Sequence, residues 1–91
     1  MGQFVESGAP VNFTDDQIVS KARGTLLGFY VNSTSSGTII IYDGLTASGT
    51  ALSGTITPAI GYHRFPAYCR AGCFIDVTGG SINVTAMFAA G

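Results

Sequence analysis

From Thr25 to Phe88 turn-forming residues interrupt the sequence every eight to twelve positions or so, and this spacing constrains the fold most. Turn formers and strand breakers stand at residues 33–37, at Asp43 and Gly44, at Gly54, at Pro66 and at Gly79 and Gly80. Between them, apolar and polar side chains alternate with a period of two, the period at which successive side chains of a strand change faces. Regularly spaced short strands of this kind specify an all-β chain: an antiparallel β-sandwich or jelly-roll-like barrel built of hairpins.

Read strand by strand, residues 25–32 place Leu27, Phe29 and Val31 on one face, with Leu26 and Tyr30 on the other. Residues 33–37 read as a hairpin loop with a left-handed glycine. Residues 38–43 return, with Ile39 and Ile41 facing one way and Ile40 and Tyr42 the other. Both faces are apolar, so this strand is covered on both sides or one face meets a partner. Residues 50–57 form a weaker strand that Gly54 interrupts and Pro58 ends, since proline cannot donate to a ladder. Residues 61–66 form a short strand closed by Pro66. In residues 73–78, Cys73, Ile75 and Val77 share a face. Gly79 and Gly80 read as a two-residue hairpin turn. Residues 81–88 answer it, with Ile82, Val84, Ala86 and Phe88 inward and Ser81, Asn83, Thr85 and Met87 outward. Nearer the N-terminus, Thr14-Asp15-Asp16-Gln17 has the form of a helix capping box. The preferred reading is a strand over residues 17–22, because the remainder is β-rich. Residues 1–13 read as an extended arm, and residues 14–91 as one domain.

At 91 residues, about 5,000 Å² stays exposed of the roughly 13,500 Å² an unfolded chain presents, which suffices for one modest core. The chain is 46% hydrophobic and 10% charged, well short of the usual quarter charged. This composition excludes intrinsic disorder. With Lys plus Arg totalling 4 and a net charge of -1, it also excludes a basic nucleic-acid binder. A surface so short of charge is expected to be covered by something. No apolar run approaches the roughly 18 residues of a membrane helix. The N-terminal residues have no secretory pattern, so synthesis in a cytosol and no membrane association are expected.

Chemistry-bearing residues are few. Cys69 and Cys73 are spaced C-x3-C, which is not the spacing of a zinc or redox site. They read as partly buried free thiols, with a local disulfide and a metal site completed by a second chain as the alternatives. His63 is the only histidine. It reads as a surface or interface residue, and the enzymatic alternative would pair it with Cys69 or Cys73. No serine elbow, phosphate loop or calcium loop is present, so neither a catalytic group nor a cofactor nor a metal is assigned. Asn12-Phe13-Thr14, Asn32-Ser33-Thr34 and Asn83-Val84-Thr85 are formal glycosylation sequons, read as chance in a Thr-rich β protein. Tyr62, His63, Arg64 and Phe65, between Pro58 and Pro66, crowd one segment with Tyr68 and Arg70 just beyond it, and Arg and Tyr are favoured at interface hot spots. With Phe4 and Val5 of the arm and Ile40 and Tyr42 of the two-faced strand, they are the expected contact residues. Exposed tyrosines could instead stack on sugars, which makes a carbohydrate- or host-surface-binding module the rival reading.

The run Leu27-Gly28-Phe29-Tyr30-Val31-Asn32-Ser33-Thr34-Ser35-Ser36-Gly37-Thr38-Ile39-Ile40-Ile41-Tyr42-Asp43-Gly44 resembles small virion proteins of tailed bacteriophages. Ala47-Ser48-Gly49-Thr50, Ile56-Thr57-Pro58-Ala59-Ile60-Gly61 and Gly79-Gly80-Ser81-Ile82-Asn83-Val84-Thr85 fit the same pattern. The resemblance spans residues 23–88. It implies a non-enzymatic β-sandwich on the capsid: a cement (decoration) protein that binds the major capsid protein, or another small head or tail component. It further implies a location in the virion, and the low charge with the two-faced apolar strand leads to an expected dimer or trimer.

Overall fold

A computed structural model describes residues 9–91, so Phe4 and Val5 lie outside the described residues. Those residues are all-β, arranged as one antiparallel sheet without a helix. The strands are β1 (Ala9–Phe13), β2 (Gln17–Ser20), β3 (Gly24–Asp43), β4 (Thr50–Ala51), β5 (Gly61–Cys69) and β6 (Cys73–Ala90).

β3 and β6 pair along their whole length, from Gly24 opposite Ala90 to Asp43 opposite Cys73. β1 and β2 both lie on the free side of β6, at opposite ends of it. β4 and β5 flank β3 in the same way, with an Ile39–Ile56 bridge between them. Each half of the ribbon is thus four strands wide: β1-β6-β3-β5 at one end and β2-β6-β3-β4 at the other.

Connectivity forces this sheet to fold back on itself. β2 ends beside Cys73 at one end of the ribbon, while β3 starts at the other. Only residues 21–23 join them, a reach of about 13 Å at most. Residues 70–72 make the same short passage from the end of β5 to the start of β6. A straight 20-residue strand would run about 66 Å, yet the longest dimension is 44 Å. At the join, Gly44 N–H donates to the Gly72 carbonyl (3.2 Å) and Gly91 N–H to that of Arg23 (3.0 Å). Asp43 accepts from the N–H groups of Arg70 and Ala71 at 3.0 and 2.8 Å.

The bend falls at residues 33–37 of β3 and 79–82 of β6, where the register slips repeatedly. These are the segments whose composition predicts two separate hairpin loops. Neither is a hairpin: they lie against each other across one ladder, with Ser35 and Ser36 opposite Ser81 and Gly37 opposite Gly79. The requirement is the same in both arrangements. A bend needs residues able to adopt positive φ, here Ser36 at 60° and Gly79 at 79°. The intervening strand segments, expected as separate units, run on as two long strands.

The core is continuous across the bend. From β3 and β6 it contains Leu26, Phe29, Val31, Ile39 and Ile41, with Cys73, Ile75, Ile82, Val84, Ala86 and Phe88. The inward set expected for residues 81–88 is the observed one. In residues 25–32 the phase differs, because a bulge between Leu26 and Gly28 puts Leu26 inside together with Phe29 and Val31. Residues 9–13 are not a free arm: β1 joins the sheet and Phe13 is buried in the core. Gln17–Ser20 is the expected strand in place of a helix, and Asp16 accepts the Val77 N–H at 2.7 Å. Pro66 is tolerated inside β5 because it sits where the β3–β5 register slips.

Candidate functional site: two outer faces of the sheet

Each half of the folded ribbon turns one face to the core and the other outward. In the β2-β6-β3-β4 half the outward row runs Ile18, Phe74, Tyr42 and Ala51, with Ile40 opposite Asp76 one row over. None of Ile18, Ile40, Tyr42 and Phe74 packs against the core, and each is half-buried. The Tyr42 and Phe74 rings are tilted against each other with centroids 6.2 Å apart. Ile40 and Tyr42 therefore lie where their alternation puts them, on the back of a strand whose Ile39 and Ile41 are fully buried.

The edge of this patch is acidic. Asp76 sits beside Asp16, and its pKa is raised by the hydrogen bond that its protonated carboxyl donates to the Asp16 carboxylate, then by burial and by the charges of Asp16 and Asp15.

In the other half the outward row is Asn12, Thr85, Tyr30 and Tyr62, one residue from each of β1, β6, β3 and β5. The next row carries Pro10, Met87, Gly28 and Arg64. Tyr30, Tyr62 and Tyr68 are about half exposed, and Ile60, just before β5, is more so. Tyr62 lies over Gly28: a β-carbon on Gly28 would meet the Tyr62 hydroxyl at 2.6 Å.

The remaining expected contact residues are dispersed. His63 turns toward the core edge, stacks on Phe29 at 5.2 Å and bonds the Ala59 carbonyl at 2.7 Å. Phe65 packs against the core. Arg70 is exposed in the β5–β6 turn, its backbone N–H held by Asp43. So Tyr62, Arg64 and Tyr68 share a surface that His63 and Phe65 do not.

Cys69 and Cys73 are free and fully buried side by side. Burial is the main cause that pushes both thiols up, and each also feels the other and the Asp43 charge. His63 is six positions from Cys69 along β5, about 20 Å of extended chain, so the Cys–His pair weighed above is not brought together. No cluster of His, Cys, Asp and Glu able to hold a metal occurs among the described residues.

One feature escaped the sequence reading. The three sequon asparagines converge on one spot, although Asn83 lies 71 residues from Asn12 and 51 from Asn32 along the chain. Asn12 Nδ2 donates to Asn83 Oδ1 (2.8 Å), the Val84 carbonyl (3.1 Å) and Thr85 Oγ1 (2.9 Å). Asn32 Nδ2 donates to Asn83 Oδ1 and Thr85 Oγ1, both at 3.1 Å. The signal was in the sequence as a recurrent Asn-x-Thr, but register alone could show that the copies meet.

Comparison with protein-family models, with curated proteins and with solved structures finds no match to this chain.

Proposed function

We propose that this protein is a non-enzymatic assembly component: a cement protein that settles on the capsid of a tailed bacteriophage and stabilises it. The carrying observation is the apolar patch of Ile18, Ile40, Tyr42 and Phe74 on the outside of a sheet whose inside is already a complete core. In a chain with a 10% charged fraction, an apolar surface remote from the core suits burial against another protein. A cement needs no catalytic group. It binds the assembled shell in preference to free subunits, and mass action does the rest. The partner in this reading is the major capsid protein, with the patch also available to a second or third copy. A net charge of -1 suits a protein partner better than nucleic acid.

The test is quantitative mass spectrometry of purified particles. A copy number on the scale of the major capsid protein supports shell decoration. A copy number of a single ring moves the protein to the head–tail junction, and absence from particles overturns the reading.

A further inference from the structure

We infer that the outer face of the β1-β6-β3-β5 half binds a neutral saccharide, with Tyr30 and Tyr62 as the stacking platform and Asn12, Asn32, Asn83 and Thr85 as the polar grip. This goes beyond the assembly reading and uses the other half of the ribbon, past the bend that separates these rows from Ile40 and Tyr42.

The platform comes from register. Tyr30 and Tyr62 are directly opposite on β3 and β5, so their β-carbons stand about 5 Å apart. They are 44% and 52% exposed, so solvent, and a ligand in its place, reaches both side chains. Paired aromatic surfaces suit the C–H face of a pyranose, which is apolar at its centre and ringed by hydroxyls.

The grip comes from the asparagines. Within the cluster, Asn12 and Asn32 are donors through Nδ2, and Asn83 is an acceptor through Oδ1. Among the described residues, that leaves Asn12 Oδ1, Asn32 Oδ1 and the Asn83 Nδ2 protons without partners. The cluster therefore offers acceptor, donor and acceptor. Neighbouring sugar hydroxyls, each of which both donates and accepts, complement that order. The internal hydrogen bonds fix the amides beforehand, which lowers the ordering cost on binding. Asn32 can take part because it is the bulged residue between Val31 and Ser33, which has no partner opposite. None of the six side chains is charged at neutral pH, so the site suits an uncharged ring. The row crosses four strands, about 14 Å, room for two or three sugar rings.

The experiment is a titration of the isotope-labelled full chain, followed by side-chain amide, aromatic and methyl NMR signals. The probes are maltose, cellobiose, lactose and N,N′-diacetylchitobiose at about 10 mM, well above a Kd of about 1 mM. The expected result is saturable movement of the Asn12, Asn32 and Asn83 side-chain amides and the Tyr30 and Tyr62 rings with at least one sugar. Tyr30→Ala should weaken that binding about tenfold, while Tyr30→Phe, which keeps the ring, should retain most of it. If Tyr30→Ala fails to fold, Tyr62→Ser on the exposed edge strand decides in its place. No movement with any of the four sugars overturns the inference. So does binding that survives Tyr62→Ser unchanged, or movement confined to Ile18, Ile40, Tyr42 and Phe74.

Discussion

The backbone at Gly80 lies so close to Ser35 that a β-carbon there would overlap the Ser35 carbonyl oxygen. These residues face each other where β3 and β6 bend together, and the three nearest atoms, from Ser35 and Ser36, are all backbone, which cannot swing aside. Gly80→Ala should therefore cost about 1–3 kcal/mol or more, by the usual range for forced overpacking. For a chain of this size that lowers Tm by roughly 4–8 °C per kcal/mol. Gly54→Ala is the control, because nothing lies within 4 Å of its β-carbon position. It should be neutral or raise stability by up to about 1 kcal/mol. Thermal melts by circular dichroism compare the two, and equal Tm values would show that the bend is not tightly packed.

The same residues show how far the sequence is legible. The period-two alternation places Ile39, Ile41, Ile75, Val84 and Phe88 inside, because one register slip would expose the whole set. It also puts Ile40 and Tyr42 on the back of the strand. Gly79 and Gly80 mislead, because a hairpin turn and a shared bend ask for the same positive φ and the same close approach. Composition cannot distinguish a strand that reverses from one that bends. The Asn12–Asn83 contact was hidden for a related reason: it depends on pairing partners more than seventy residues apart. The bulge at Leu27 exchanged Leu27 for Leu26 in the inward set, with no proline or conspicuous polar run within β3 itself to announce it.

Asp43 ties the end of β3 to the β5–β6 turn, and its pKa is lowered from 3.8 by the Ala71 and Arg70 N–H groups. A lowered folded pKa gives stability that is full above the ordinary carboxylate value and is lost as pH falls through the folded value. Asp76 works in the opposite direction. Its raised pKa gives stability at acid pH that is lost as pH rises through the folded value. In Asp43→Asn only one of the two N–H bonds keeps an acceptor, so Tm at neutral pH should fall by several degrees. The variant should also lose the wild type's acid-side decline below about pH 4. Melts from pH 2 to 7 check this, and parallel Tm curves for the two proteins would remove Asp43 from the account.

Cys69 and Cys73 should resist alkylation in the native state. Both are fully buried and both thiols are pushed up, so neither access nor thiolate is present. Iodoacetamide at neutral pH should leave the folded chain unlabelled and modify both residues in guanidinium, read by intact mass. Replacing both with Ala should cost stability through lost packing, not through a lost cross-link, since both are free. Fast native labelling of either residue would show that the β5–β6 turn opens far more readily than its hydrogen bonds imply.

Ile40 and Ile41 are neighbours in sequence with opposite duties, so they separate folding from association. Ile41→Ala removes a fully buried side chain from the core and should cost about 2–5 kcal/mol. Ile40→Lys acts on the outer patch. It puts an ammonium directly opposite Asp76, and a cross-strand pair of opposite charge is worth about 0.2–1 kcal/mol. That substitution should leave Tm near the wild-type value while placing a charge in the middle of the apolar surface formed with Tyr42, Phe74 and Ile18. Light scattering across a concentration series should then show the wild type associating into dimers or trimers and Ile40→Lys remaining a monomer. Binding to purified capsids should fall in step if the proposed function is right, since it assigns both contacts to this patch. A wild type that stays monomeric at high concentration, together with an Ile40→Lys variant that still loads onto capsids, would move the contact surface away from this half of the sheet.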